Sequence, residues 1–208
     1  MEAQQHGAKS SHGNDAEGEH GVCSLLHNEL GVSLPLHISL SRPLVLKTEH
    51  KDGFLQRLKQ AITSSGVHAF GVSPADLKWH PNEDRTRWFL VLRATDEGGE
   101  LVKLLQISNA VAGAHDQPKL YEDDAPAPSS SKPALGEVAT TSAADKLHIS
   151  IAWSLRQPPA KSTVNPSEST NLPSSIQDLD IPFADVKVRI GQDVTSMALA
   201  PRRERRGS

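Results

Sequence analysis

Leu34, Leu36, Ile38 and Leu40 alternate with polar positions, and His37, Ser39 and Ser41 fall on the opposite face. A period of two predicts a β-strand, closed by Pro43, which has no N–H to give to a ladder. From Glu49 the period lengthens. Phe54, Leu55, Leu58, Ala61 and Ile62 recur at helical spacing, so an amphipathic helix is expected to about Thr63, stopped at Ser64-Ser65-Gly66. Two strands follow, at 67–73 and 85–94, with a loop at 80–85 before the second. Leu101, Leu104, Leu105, Ser108 and Val111 then share one face of a second helix that ends near Gly113.

Further on, 146–155 again reads as a strand, with Leu147, Ile149 and Ile151 on one face and His148, Ser150 and Ala152 on the other. The segments 183–191 and 194–200 read as a closing hairpin. Strands and helices are mixed without regular βαβ alternation. The expected class is therefore α+β with largely antiparallel sheets.

Between these elements the pattern lapses. Residues 1–22 carry almost no apolar side chains and read as a disordered arm; its His6, His12 and His20 fit a solvated tail better than a metal site. A Pro/Ser/Ala-rich insertion at 122–145 and a polar stretch at 156–175 read as flexible loops, and 201–208 as a basic tail. One domain is expected over 23–200.

Composition narrows the function classes. The 208 residues are 37% hydrophobic and carry a net charge of −3, so no global basic field advertises nucleic acid, and such a partner needs a local groove. A single cysteine, Cys23, excludes an internal disulfide and any zinc site built on cysteine pairs. The N-terminus has no apolar core of a secretory signal, and no apolar run reaches the length of a membrane span. The expectation is a soluble, intracellular protein.

Leu-His-Ile-Ser occurs twice, at Leu36–Ser39 and Leu147–Ser150. With ten histidines in the chain, His-x-Ser carries little weight by number. Context gives it more, because each copy lies on a predicted strand and each puts His and Ser together on the non-aliphatic face. Histidine is the side chain best suited to move protons near neutral pH. Two histidines on either side of a phosphodiester can cleave RNA without a metal: one takes the 2′-hydroxyl proton and the other protonates the departing 5′-oxygen. Serine hydroxyls two residues on can donate to the non-bridging phosphate oxygens. A serine-nucleophile reading is weaker, since the chain has no Gly-x-Ser-x-Gly elbow.

The pair of motifs resembles the two His-x-Ser/Thr motifs of the 2H phosphoesterase superfamily. "RTRWFLVL", the Ala-Trp after the second motif and the final "SMAL" are similar to the U6 small nuclear RNA phosphodiesterase family, over about residues 33–200. The resemblance implies a pseudo-twofold, two-lobed 2H phosphoesterase fold around a central groove. His37 and Ser39 would come from one lobe, His148 and Ser150 from the other. It implies catalytic roles for His37 and His148 and phosphate binding by Ser39 and Ser150. The implied activity is metal-independent 3′-to-5′ trimming of the oligouridine end of U6 snRNA in the nucleus, by a monomer with no cofactor. The trimmed end would carry a 2′,3′-cyclic phosphate or a 3′-phosphate.

Members of that family place a base-stacking tyrosine shortly before the second motif. Ser142 stands at that offset here, and Tyr121, the single tyrosine, is the nearest candidate. Trp79, Trp88 and Trp153 read as core residues. Arg85, Arg87 and the tail arginines 202, 203, 205 and 206 are candidates for phosphate contact or, in the tail, for nuclear import. Two other readings remain: a 2′,3′-cyclic phosphodiesterase acting on nucleotides or RNA ends, and a non-catalytic RNA-binding module.

Overall fold

The computed structural model describes residues 21–82, 84–122, 143–158 and 172–202. The arm at 1–20, most of the two insertions and the end of the basic tail lie outside the described residues. Two long helices form where the apolar spacing predicted them. Helix α1 spans Lys51–Ser64 and buries Phe54, Leu58 and Ile62. Gly66 follows it with a φ of +68°, the left-handed turn that glycine adopts at least cost. Helix α2 spans Glu100–Gly113 and buries Leu101, Leu104, Leu105 and Val111.

The described residues also form seven strands: β1 Val22–Ser24, β2 Phe70–Pro81, β3 Trp88–Thr95, β4 His148–Ser154, β5 Ile181–Phe183, β6 Asp185–Ile190 and β7 Asp193–Ala198. Five form one antiparallel sheet in the order β1-β4-β3-β2-β5, and β6 and β7 form a separate hairpin. Two short helices, α3 at Ala143–Lys146 and α4 at Ser174–Gln177, lead into β4 and β5. The α+β antiparallel class is as expected. One face of the sheet carries Val72, Ala94 and Leu147 against the apolar stripes of α1 and α2, and this is the main core. Each valine, leucine, isoleucine or phenylalanine so removed from water stabilises the fold by about 1.5–3 kcal/mol. No helix among the described residues is long and apolar enough to cross a membrane.

Three expectations need correction. The segment around Leu36 is extended but forms no regular strand; it makes one antiparallel bridge, Ile38 to Ile149. Pro35 and Pro43 each lack an N–H, so a continuous ladder cannot form across them. Residue 22, assigned to the arm, belongs to β1, which pairs with β4 through Val22–Ser154, Cys23–Trp153 and Ser24–Ala152. The bond from Leu25 N to Ile151 O continues that pairing towards Ile149. The chain leaves the edge in a small hairpin closed by His27–Ser33 and returns at Ile38. β1 and the first motif are therefore one interrupted edge strand lying along β4.

The third correction concerns phase. Leu90 pairs with Ala152 but Val91 pairs with Ser150, so β4 holds one residue more than β3 at Ile151. Such a bulge resets the alternation of faces. Burial along β4 follows it: Ile149, Ala152 and Ser154 are buried while His148, Ser150 and Trp153 are partly open. Ala152 thus joins the face of Ile149, and Trp153, read from sequence as a core residue, joins the face of His148 and Ser150.

Candidate active site

The Ile38–Ile149 bridge joins the middle residues of the two His-x-Ser motifs. Antiparallel pairing has a local twofold axis, and here the axis exchanges one motif with the other. Register sets His37 opposite Ser150 and Ser39 opposite His148, all on the face turned away from the two isoleucines. Directly opposed side chains on one face lie about 5 Å apart at Cβ, and diagonal neighbours about 7–8 Å. The two histidines occupy one diagonal and the two serines the other. The four predicted residues are brought together, with His37 and Ser39 exposed and His148 and Ser150 half-buried.

His148 is held more firmly than its counterpart. Its Nδ1 lies 2.6 Å from the carbonyl oxygen of Lys146. A carbonyl can only accept, so Nδ1 carries the hydrogen and the neutral ring leaves Nε2 bare. Burial pushes the His148 pKa below the ordinary histidine value, and the nearby charges of Lys78 and His37 push it the same way; the Lys146 carbonyl opposes them. The ring is thus favoured as a neutral base near neutral pH. Lys78 shares this face of the sheet, here called the groove face, from β2, where it pairs in register with Val91, itself opposite Ser150.

A charged cluster that the sequence reading missed supports the second motif. Arg93 stands directly opposite His148 on β3. At this point β2 has two residues, Ala75 and Asp76, against the single Arg93. That second bulge brings the Asp76 carboxylate to Arg93 Nε at 2.9 Å and to Nη2 at 2.5 Å. Asp145, on α3 just ahead of the motif, accepts from Nη1 at 3.2 Å. The Asp76 hydrogen bonds raise the Arg93 pKa still further above its ordinary value, so the guanidinium stays charged throughout. The available signal was an arginine inside the apolar run "FLVLRAT" and an aspartate inside "SPADLKW". An ionised residue in a strand that packs on a core needs a partner nearby.

Tyr121 is half-buried against the core and has a φ of +65°, a conformation that non-glycine residues adopt rarely. The Lys146 ammonium lies 5.8 Å from its ring centroid. Lys146 also supplies the carbonyl that holds His148. The tyrosine therefore sits close to the entry of β4, on the side that precedes His148. Trp79 is buried as expected, whereas Trp88 and Trp153 are half-exposed. Arg87 holds its guanidinium 5.1 Å from the Trp153 ring centroid. Arg85 has a φ of +53° in the turn before β3. Arg202 pairs with Asp180 at 2.9 Å on the surface, and Arg203, Arg205 and Arg206 lie outside the described residues. Among the described residues no three His, Cys, Asp or Glu side chains converge as metal ligands would.

The antiparallel sheet, the two helices behind it and the twofold-related His-x-Ser motifs define a 2H phosphoesterase-like fold. Solved structures agree. Usb1 from Kluyveromyces marxianus matches 85% of this chain and 80% of its own at 18% identity, with a TM-score of 0.57. The same protein with uridine monophosphate matches the same shares at 20% identity and a TM-score of 0.58. The chain belongs to the HVSL family, described as an uncharacterised conserved protein, whose model matches residues 2–198. A curated relative, U6 snRNA phosphodiesterase 1 of Neurospora crassa, is 34% identical over 157 residues. That match takes in 69% of this chain and 38% of the relative, so the chain spans well under half of the relative's length.

Proposed function

We propose that this chain is a nuclear RNA phosphodiesterase that trims the uridine-rich 3′ end of U6 snRNA one nucleotide at a time. The observation that carries the reading is the bridge between Ile38 and Ile149, which sets two histidines and two serines on one face. The Neurospora relative bears the name of this activity, and the Kluyveromyces neighbour was solved with uridine monophosphate.

In this reading the scissile phosphate lies between the histidine diagonal, with its non-bridging oxygens towards Ser39 and Ser150. His148, neutral and bare at Nε2, takes the proton of the 2′-hydroxyl. The 2′-oxygen bonds to phosphorus, the bond from phosphorus to the 5′-oxygen breaks, and His37 gives that oxygen its proton. The terminal nucleoside leaves with a 5′-hydroxyl, and the shortened RNA ends in a 2′,3′-cyclic phosphate. The serine hydroxyls stabilise charge that builds on the phosphate during the step. Tyr121 stacks on the leaving base, which suits a site that must hold a single-stranded end without reading a duplex.

The test is to incubate an oligouridine-tailed RNA with the full chain in EDTA and to analyse the trimmed ends by mass. Stepwise shortening to ends that carry a cyclic phosphate is expected. Complete loss of trimming in EDTA, or full trimming by His37→Ala and His148→Ala, would overturn the mechanism.

A further inference from the structure

The bulge at Ile151 places Trp153 on the groove face three residues beyond Ser150, about 10 Å further along the strand. A strand without the bulge would have turned this indole into the core. Trp153 stays half-exposed, opposite Phe89 on β3 and Cys23 on β1. The Arg87 guanidinium lies over its ring, and Arg87 forms no ion pair with any carboxylate among the described residues. Tyr121 lies towards the opposite end of β4, beside Lys146. The two aromatic rings therefore flank the histidines and serines along the strand axis.

We infer that Trp153 and Arg87 form a second nucleotide subsite, which takes the base and phosphate on the retained side of the scissile bond. An indole face takes any base by stacking, and a guanidinium that no described carboxylate pairs can donate its N–H groups to phosphate oxygens. The base held there belongs to the nucleotide that supplies the attacking 2′-hydroxyl, so stacking it anchors the retained strand beyond the Ser150 end of the site, away from Tyr121. The subsite rests on the proposed RNA cleavage and deepens it, and it adds a contact that neither His-x-Ser motif supplies. Bulges beside active sites commonly re-aim one side chain, and that is what this one does to Trp153.

Two measurements on the full chain test the subsite. In the first, tryptophan emission is titrated with an oligouridine whose penultimate residue is 2′-deoxy and so cannot be cleaved. Saturable quenching is expected in the wild type, and most of it should vanish in Trp153→Phe while affinity stays within about threefold, since phenylalanine still stacks. In the second, trimming kinetics compare ordinary RNA with RNA that lacks the penultimate base. Trp153→Ala should raise KM about tenfold or more on ordinary RNA with kcat nearly unchanged. Removing the base should raise KM for the wild type by a similar factor and add little to the variant, because both changes delete one contact.

Unchanged KM in Trp153→Ala, or multiplying penalties from the two deletions, would overturn the subsite while trimming itself stands. A wild-type protein that neither trims nor is quenched would instead remove the proposed function. If Trp153→Ala does not fold by circular dichroism, the abasic RNA on wild-type protein and the quenching of Trp153→Phe still decide the matter. An abasic RNA that the wild type trims with the KM of ordinary RNA would refute the subsite without any variant.

Discussion

Replacing Asp76 with alanine should destabilise the protein by about 2–3 kcal/mol. The Asp76 residue is 8% exposed, and its carboxylate takes Nε and Nη2 of Arg93, whose side chain is 25% exposed. Removing one partner from a fully buried pair costs about 3–5 kcal/mol, because the other charge is left unpaired out of water. Two features lower the figure here. Water reaches a quarter of the Arg93 side chain, and Asp145 still accepts from Nη1 at 3.2 Å. Near the melting temperature 2–3 kcal/mol corresponds to roughly 5–10 °C for a domain of this size.

Urea and thermal melts followed by circular dichroism measure the loss. The double variant Asp76→Ala/Arg93→Met should recover most of it, since replacing both charges with apolar groups removes the unpaired guanidinium along with its desolvation cost. Asp76→Ala within about 0.5 kcal/mol of wild type would refute the reasoning, and so would a double variant no more stable than the single.

Three further outcomes follow from the same geometry. His37→Ala and His148→Ala should each lower kcat by about 10²–10⁴-fold with unchanged circular dichroism, read from single-turnover trimming of an oligouridine-tailed RNA. Because burial and the Lys78 charge hold the His148 pKa below its ordinary value, the acid limb of the kcat/KM profile should lie below the ordinary histidine range. As pH falls through that pKa the base gains a proton and activity is lost; Lys78→Met removes one opposing charge, raises the pKa and moves the limb to higher pH. Leu105, 2% exposed on α2, should cost about 2–5 kcal/mol when cut to alanine, measured by urea denaturation.

Long periodic segments were legible in the chain because burial of one face repeats over several turns or pleats. The stripes of α1 and α2, the strand of the second motif and the closing hairpin all carry that repetition. The four His and Ser positions were legible for a different reason: two identical motifs in the same phase constrain one another. Features that depend on a single residue were not legible. β1 is three residues long at the end of a polar stretch, so its pattern has no room to repeat. The Arg93–Asp76 pair joins positions 17 apart, and only a bulge in β2 brings them face to face.

The clearest case is the bulge at Ile151. Alternation read from Ile149 onward assigns Ala152 to the groove and Trp153 to the core, yet the pairing of Leu90 with Ala152 reverses both. A strand tolerates one extra residue with no local marker in its composition, because the bulge is set by how β3 and β4 register against each other. Phase arguments from sequence therefore hold up to the first bulge and invert beyond it. Bulges gather at sheet edges and near active sites, so inversion is most frequent where a side chain has been re-aimed for use. On that reasoning, a large aromatic residue a few positions past a catalytic motif on a strand should be weighed as a groove residue before it is counted as core.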